Sequence, residues 1–288
     1  NEKPKGEEKQ MKYAVGYLLV YLNIFLCPLF VFVVCGLCTA FCRRSVNKLL
    51  NKAVGLNAVS FTSFIGTPVH EFGHVLMCLL FGHKVTKVQW FSMKKNSPTL
   101  GSVSHSYNPK NPYNLLGLVF IGLGPIFSGL AYILIVLRLC FPEALSGYIS
   151  AAKAADLQAP MESLASLGRS ILSVFSDDTM PLWTRILGFV LIAFVCLHLE
   201  LSVSDIKSSL KGLPVLALIV LVITLVLALA DMTFFPGASA ALCGHINRFT
   251  VFVFSVFMLV IFFSLALLVC ATLIYLISSA LKHIFGKH

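Results

Sequence analysis

Five consecutive residues, His70-Glu71-Phe72-Gly73-His74, put two imidazoles and a carboxylate where they could act on one water molecule. Residues four apart stack on one face of a helix, so His70 and His74 can grip a single Zn²⁺, the geometry behind the H-E-x-x-H signature. Glu71 then lies beside the ion, within reach of a proton on the water that the metal acidifies. The run sits inside an apolar stretch, residues 53–83. Burying a carboxylate and two imidazoles in hydrocarbon costs several kcal/mol, so such a cluster marks a functional site. The bland alternative is a pair of core histidines with a chance Glu between them. The penalty on unpaired buried polar groups weighs against it.

A catalytic zinc takes three protein ligands and keeps one position open. The third has to come from another segment, and the candidates are Asp205, His198, Glu200, Asp231, His245 and Glu143. The stretch from Cys196 to Lys207 stands out. On a continuous helix His198, Ser202 and Asp205 fall at i, i+4 and i+7, one polar face pointing into a bundle. Asp205 offers a hard anionic oxygen that would partly neutralise the ion, and it is the favoured third ligand. His198 is the second choice, or, as a non-ligand, a catalytic group that steadies an oxyanion or orients a ligand. Against this, Asp205 could be an interfacial helix-end residue paired with Lys207. Glu200 points to another face, and Asp231 belongs at a wetted span end. His83, His105, His245 and the terminal histidines are expected to face solvent. Cys78, four residues past His74, could face the metal, although packing is the expected role for it and for the other eight scattered cysteines.

The elements that must position these groups are membrane helices. Of the 288 residues 58% are apolar and only 12% charged, against about 25% charged in soluble domains. Uncharged runs cover residues 13–42, 111–137, 212–230 and 249–281, each long enough for the ~20 residues a crossing helix needs, the third only just. Two more apolar stretches carry buried charge: 53–83 with Glu71, and 182–203 with Arg185 and Glu200. The reading is an all-α membrane protein with six transmembrane helices. A polar tail occupies residues 1–12. A first helix and basic connector fill 13–52, a three-helix core 53–211, and two C-terminal helices 212–288. The net charge of +10 does not imply nucleic acid, because the charges sort by side. With six spans one face carries 13 of the 22 Lys and Arg residues, which places both termini in the cytoplasm.

Between the second and third spans, residues 84–91 alternate polar and apolar, and 100–105 form a second β-prone run after a polar turn. These predict a β-hairpin over 84–107. The third span holds Gly122, Gly124, Pro125 and Gly129, small residues for close helix approach and a proline that frees a carbonyl. In the loop 141–180, apolar residues at 161, 164, 167, 171, 172 and 175 predict an amphipathic helix lying on the membrane.

Taken together, these residues resemble the site-2 protease family of intramembrane zinc metalloproteases. The resemblance covers roughly 55–210 and rests on the zinc motif in a span, the surface hairpin after it, Gly124-Pro125 in the next span, and Asp205 beyond. Two departures stand out: Ser128 occupies the place of an expected Asn, and Ser202-Val-Ser-Asp205 replaces the family's Asn-x-x-Pro and Leu-Asp-Gly context. The resemblance implies one Zn²⁺ per chain on His70, His74 and Asp205, with Glu71 as the base. It also implies cleavage of a single-span membrane protein or a signal-peptide remnant. The rivals are a metal-retaining but inactive membrane chaperone, a metal transporter, and a zinc hydrolase of a non-peptide amide.

Overall fold

The computed structural model describes residues 5–55, 58–92, 100–155, 160–199, 201–233 and 237–285. Eight α-helices and one antiparallel β-hairpin are described: α1 Lys5–Val54, α2 Ala58–Leu80, β1 Lys84–Gln89, β2 Ser102–Ser106, α3 Pro112–Cys140, α4 Pro142–Ala154, α5 Pro160–Leu172, α6 Leu182–Cys196, α7 Val203–Thr233 and α8 Ala238–Phe285. Four of these helices, α1, α3, α7 and α8, are long and apolar enough to cross a membrane. α2 is 23 residues long and carries the charged motif, while α6 has 15 residues, short for a full crossing. The hairpin lies inside the expected range, with a register shift between Val85 and Lys87. Its turn, at 93–99, falls outside the described residues, as does Glu200.

Local chemistry explains the boundaries. α2 stops at Gly82, whose φ of 69° is the left-handed conformation that closes helices. α3 starts at Pro112 behind Asn111, whose side chain accepts the Tyr113 N–H at 3.0 Å. α7 opens on a reciprocal cap: the Ser202 N–H donates to Asp205 Oδ2 at 2.8 Å, and the Asp205 N–H donates to Ser202 Oγ at 3.1 Å.

α2 and α3 cross antiparallel with almost no side chain between them. A Cβ on Gly124 would lie 2.5 Å from the Gly73 carbonyl oxygen, and Ser128 Oγ donates to the Val69 carbonyl at 2.7 Å. Ser128 thus bonds across the same crossing. α6 and α7 run along α3 in one direction. Gly188 meets Cys140 and Phe141, Gly129 meets Leu199, Gly122 meets Asp205 and Ser209, and Gly212 meets Leu115 and Val119. Together α6 and the start of α7 therefore follow one line along α3, interrupted between Cys196 and Val203.

Three sequence expectations change. First, no reversal separates 182–203 from 212–230, because α7 is continuous through both Asp205 and the later apolar run. Second, α1 and α8 lie parallel: Phe32 packs on Phe257, and Ser278 Oγ donates to the Ala53 carbonyl at 2.6 Å, the same offset in both places. Lys5 and Phe285 therefore end at opposite ends of this pair. Both termini on one face followed from a charge count that assumed the missing reversal. Third, α1 is helical from Lys5 to Val54, so most of the expected tail and the basic connector join a single helix.

The loop 141–180 is built as α4 and α5. The apolar face of α5 is divided: Leu167 and Ile171, with Val174 just beyond the helix, are buried in the main core with α3, α4, α6 and α8, whereas Met161, Leu172 and Phe175 stay exposed. Asp177 fastens this layer, accepting from the Ala144 N–H in the first turn of α4 at 2.9 Å and from both the N–H and the hydroxyl of Thr179. Burial alone would raise its pKa, but those hydrogen bonds outweigh burial and hold it below the ordinary carboxylate range. A lowered folded pKa stabilises the fold above the unfolded value and loses that stability as pH falls through the folded one. Detergent-solubilised protein should lose thermal stability below about pH 4, and Asp177→Ala should lower Tm at pH 7 and flatten that acid limb. Thermal scans between pH 3 and 7 check this. An unchanged Tm at pH 7 would remove Asp177 from its role.

Candidate metal centre

His70, Glu71 and His74 project from the middle of α2 into a cavity of about 420 Å³, which is also lined by Arg43, Gly101, His105, His198 and Asp205. Glu71 is 6% exposed and His74 8%. One ring nitrogen each from His70 and His74 and an oxygen of Asp205 all lie within 4.8 Å of one another.

Each imidazole is aimed by a main-chain carbonyl. His70 Nδ1 is 2.9 Å from the His198 oxygen, and His74 Nδ1 is 2.8 Å from the Ile121 oxygen. A carbonyl only accepts, so Nδ1 carries the hydrogen in both rings and Nε2 keeps its lone pair. Both carbonyls are available because a helix is interrupted. Pro125 has no N–H to return to Ile121 four residues earlier, so that oxygen is released inside α3. His198 lies just past the end of α6, where the last carbonyls have no intrahelical partner.

The free Nε2 atoms face Asp205. His74 Nε2 is 3.4 Å from Oδ1, and His70 Nε2 is 3.9 Å from Oδ2. Three acceptors converging in a buried pocket repel unless a cation or proton lies among them. The separations exceed ordinary N–H···O bonds of about 2.7–3.2 Å. They approach the ~3.3 Å edge of a tetrahedron built on zinc bonds of about 2.0–2.1 Å. Two imidazole nitrogens and a carboxylate oxygen are also a donor set that suits zinc. The residues fit the ion.

Asp205 reaches this point from the first turn of α7, not along the stripe expected with His198 and Ser202. α6 ends at Cys196 and α7 begins at Val203, so the three residues share no helix face. Ser202 instead holds the carboxylate through the cap, and the helix N-terminus favours its negative charge. His198 contributes to the centre through its carbonyl. Its ring lies 3.1 Å from Thr62 Oγ1 and against Gly66, where any Cβ would collide with it. Among the remaining candidates, Asp231 accepts from Tyr17 Oη and the Ser239 N–H at a helix end, and Glu143 and His245 are exposed.

β2 closes the cavity mouth. Leu100 and Gly101, just before β2, and Ser102 and Val103 at its start line it in succession. At Gly101, one residue before β2, a Cβ would collide with Thr67 Cγ2 and stand 2.7 Å from Glu71 Oε1, so a glycine lets the chain come this close to α2. His83 and His105, expected in solvent, are not there. His83 is 4% exposed, and His105 lines the cavity.

No protein-family model, curated protein or solved structure matches the chain.

Proposed function

We propose that the chain is a multi-pass membrane zinc endopeptidase of the site-2 protease type, cutting peptide bonds of single-span or signal-peptide-like substrates in or near the bilayer. One observation carries the reading: two histidine Nε2 lone pairs and a carboxylate converge beside a buried glutamate, within helices that suit lipid better than water. α2, α3 and the interrupted α6–α7 pass form the catalytic core, and α1 and α8 flank it.

His70, His74 and Asp205 would hold one Zn²⁺, which when bound supplies Lewis-acid polarisation of a carbonyl and a more acidic water. Glu71 takes a proton from the attacking water and returns it to the departing amine nitrogen, so one residue serves as base and then acid. The carbonyls of Ile121 and His198 keep both imidazoles turned toward Asp205, which makes His198 a positioning residue. β2 offers main-chain N–H and C=O groups along the cavity mouth, and an extended substrate strand can add to them. Extension is required because a helical peptide keeps its amides in its own hydrogen bonds.

Chelation tests the reading. Purified protein stripped with 1,10-phenanthroline should lose cleavage of a single-span substrate in detergent. One equivalent of Zn²⁺ or Co²⁺ should restore it and Mg²⁺ should not, since an N₂O set favours the former ions. Cleavage that survives complete metal removal would refute a metalloprotease.

A further inference from the structure

A second group of metal-binding atoms lies next to the first and takes no part in the chemistry above. Cys78, His83 and His105 each offer a ligand atom, and these atoms lie within 4.8 Å of one another. They come from three elements: the last turn of α2, the turn after Gly82, and β2. Cys78 is fully buried and His83 nearly so.

Hydrogen-bond direction settles the protons on these rings. His83 Nε2 is 2.8 Å from the Asn114 carbonyl oxygen, so it carries a hydrogen and Nδ1 keeps a lone pair. His83 Nδ1 is 2.9 Å from His105 Nδ1, so without metal His105 must donate there. One proton thus occupies the space between two imidazole nitrogens with a thiol sulfur beside it. His83 is held as metal-ligating histidines usually are, one nitrogen pinned by a carbonyl and the other presented. The same device aims His70 and His74. The surroundings keep the ring in place: Tyr107 stacks on His83 at 5.0 Å, and the Asn114 amide donates to the Phe81 carbonyl at 2.8 Å.

We propose that Cys78, His83 and His105 form a second site for a thiophilic divalent ion of the zinc class, bound by Sγ and two Nδ1 atoms. Binding releases the Cys78 thiol proton to solvent, because the thiolate is the ligating form. His105 stays neutral by moving its hydrogen from Nδ1 to Nε2. The ion would tie β2 to the end of α2 and turn Nε2 of a cavity-lining histidine from acceptor into donor. The site thereby links metal supply to the shape and polarity of the substrate cavity.

Cobalt tests this without any cleavage assay. Full-length protein carrying His70→Ala and Asp205→Ala, which removes two ligands of the first centre, is stripped and titrated with Co²⁺. The expected result is one Co²⁺ per chain with a thiolate-to-cobalt charge-transfer band. Adding Cys78→Ser should abolish the band, and His105→Asn should weaken Co²⁺ binding at least tenfold. The same band should appear in the wild-type chain and vanish in Cys78→Ser alone, which covers misfolding of the multiple variant. Absence of the band from the folded wild-type chain, or its persistence in Cys78→Ser, overturns the second site. Since the first centre has no sulfur ligand, either outcome leaves the protease reading untouched.

Discussion

Replacing Glu71 by Gln is expected to cut peptide-bond cleavage by about 10²–10⁴-fold while zinc content stays at the wild-type level. Gln fills the same space 6% exposed beneath Gly101, and it is not one of the three residues whose ligand atoms converge. It removes only the ability to accept a proton from water. Turnover of a single-span substrate, measured beside zinc per chain by elemental analysis, separates this from collapse of the site. Equal turnover by Gln and Glu would show that the carboxylate is not the base. Loss of zinc with loss of turnover would show that it was holding the metal.

The second large effect is expected at the α2–α3 crossing. Gly124→Val puts a branched side chain where a single Cβ already lies 2.5 Å from the Gly73 oxygen, 2.7 Å from the Gly73 carbonyl carbon and 3.0 Å from the His74 nitrogen. These are backbone atoms of the zinc-motif helix, and they cannot swing aside as a flexible side chain would. Overpacking of this kind costs about 1–3 kcal/mol where the surroundings relax, and more where they cannot. Relief requires α2 to move from α3, which lengthens the 2.8 Å bond from His74 Nδ1 to the Ile121 carbonyl. The variant should therefore lose zinc and activity together and unfold at lower temperature, with Gly124→Ala intermediate. Full zinc occupancy and activity in folded Gly124→Val would mean that the close crossing does not position the centre.

Much of the centre was legible because its chemistry is local. A four-residue spacing is enough to put His70 and His74 on one face of α2, and Pro125 already marks Ile121 as the carbonyl left without a donor. Asp205 was reached by a different physical route from the one its spacing suggested. Residues 196–201 contain no Gly or Pro to advertise a break, so a continuous helix looked natural. The sign of a new helix was nevertheless spelled out in Ser202-Val-Ser-Asp205, a capping box with Asp in the third position. Span counting meets a related limit. Apolar runs report how much chain suits lipid, but not whether the chain reverses between them, and α6 and α7 continue in one direction. For α5, helical spacing revealed an apolar face without saying what covers it; protein covers Leu167 and Ile171 and leaves Met161 and Leu172 exposed. His83 and His105 were missed because their partners, the Asn114 carbonyl and each other, are tertiary contacts that leave no pattern in sequence.

Zinc K-edge X-ray absorption on the chain carrying Cys78→Ser and His105→Asn tests the central claim most directly, because those substitutions leave the neighbouring cluster no sulfur and one imidazole. The account predicts a shell of nitrogen and oxygen at about 2.0–2.1 Å with the outer scattering of two imidazoles, lost when His70 and His74 are both replaced by Ala. A chain that retains no zinc, a sulfur shell near 2.3 Å, or an imidazole signal that survives the double replacement would contradict it.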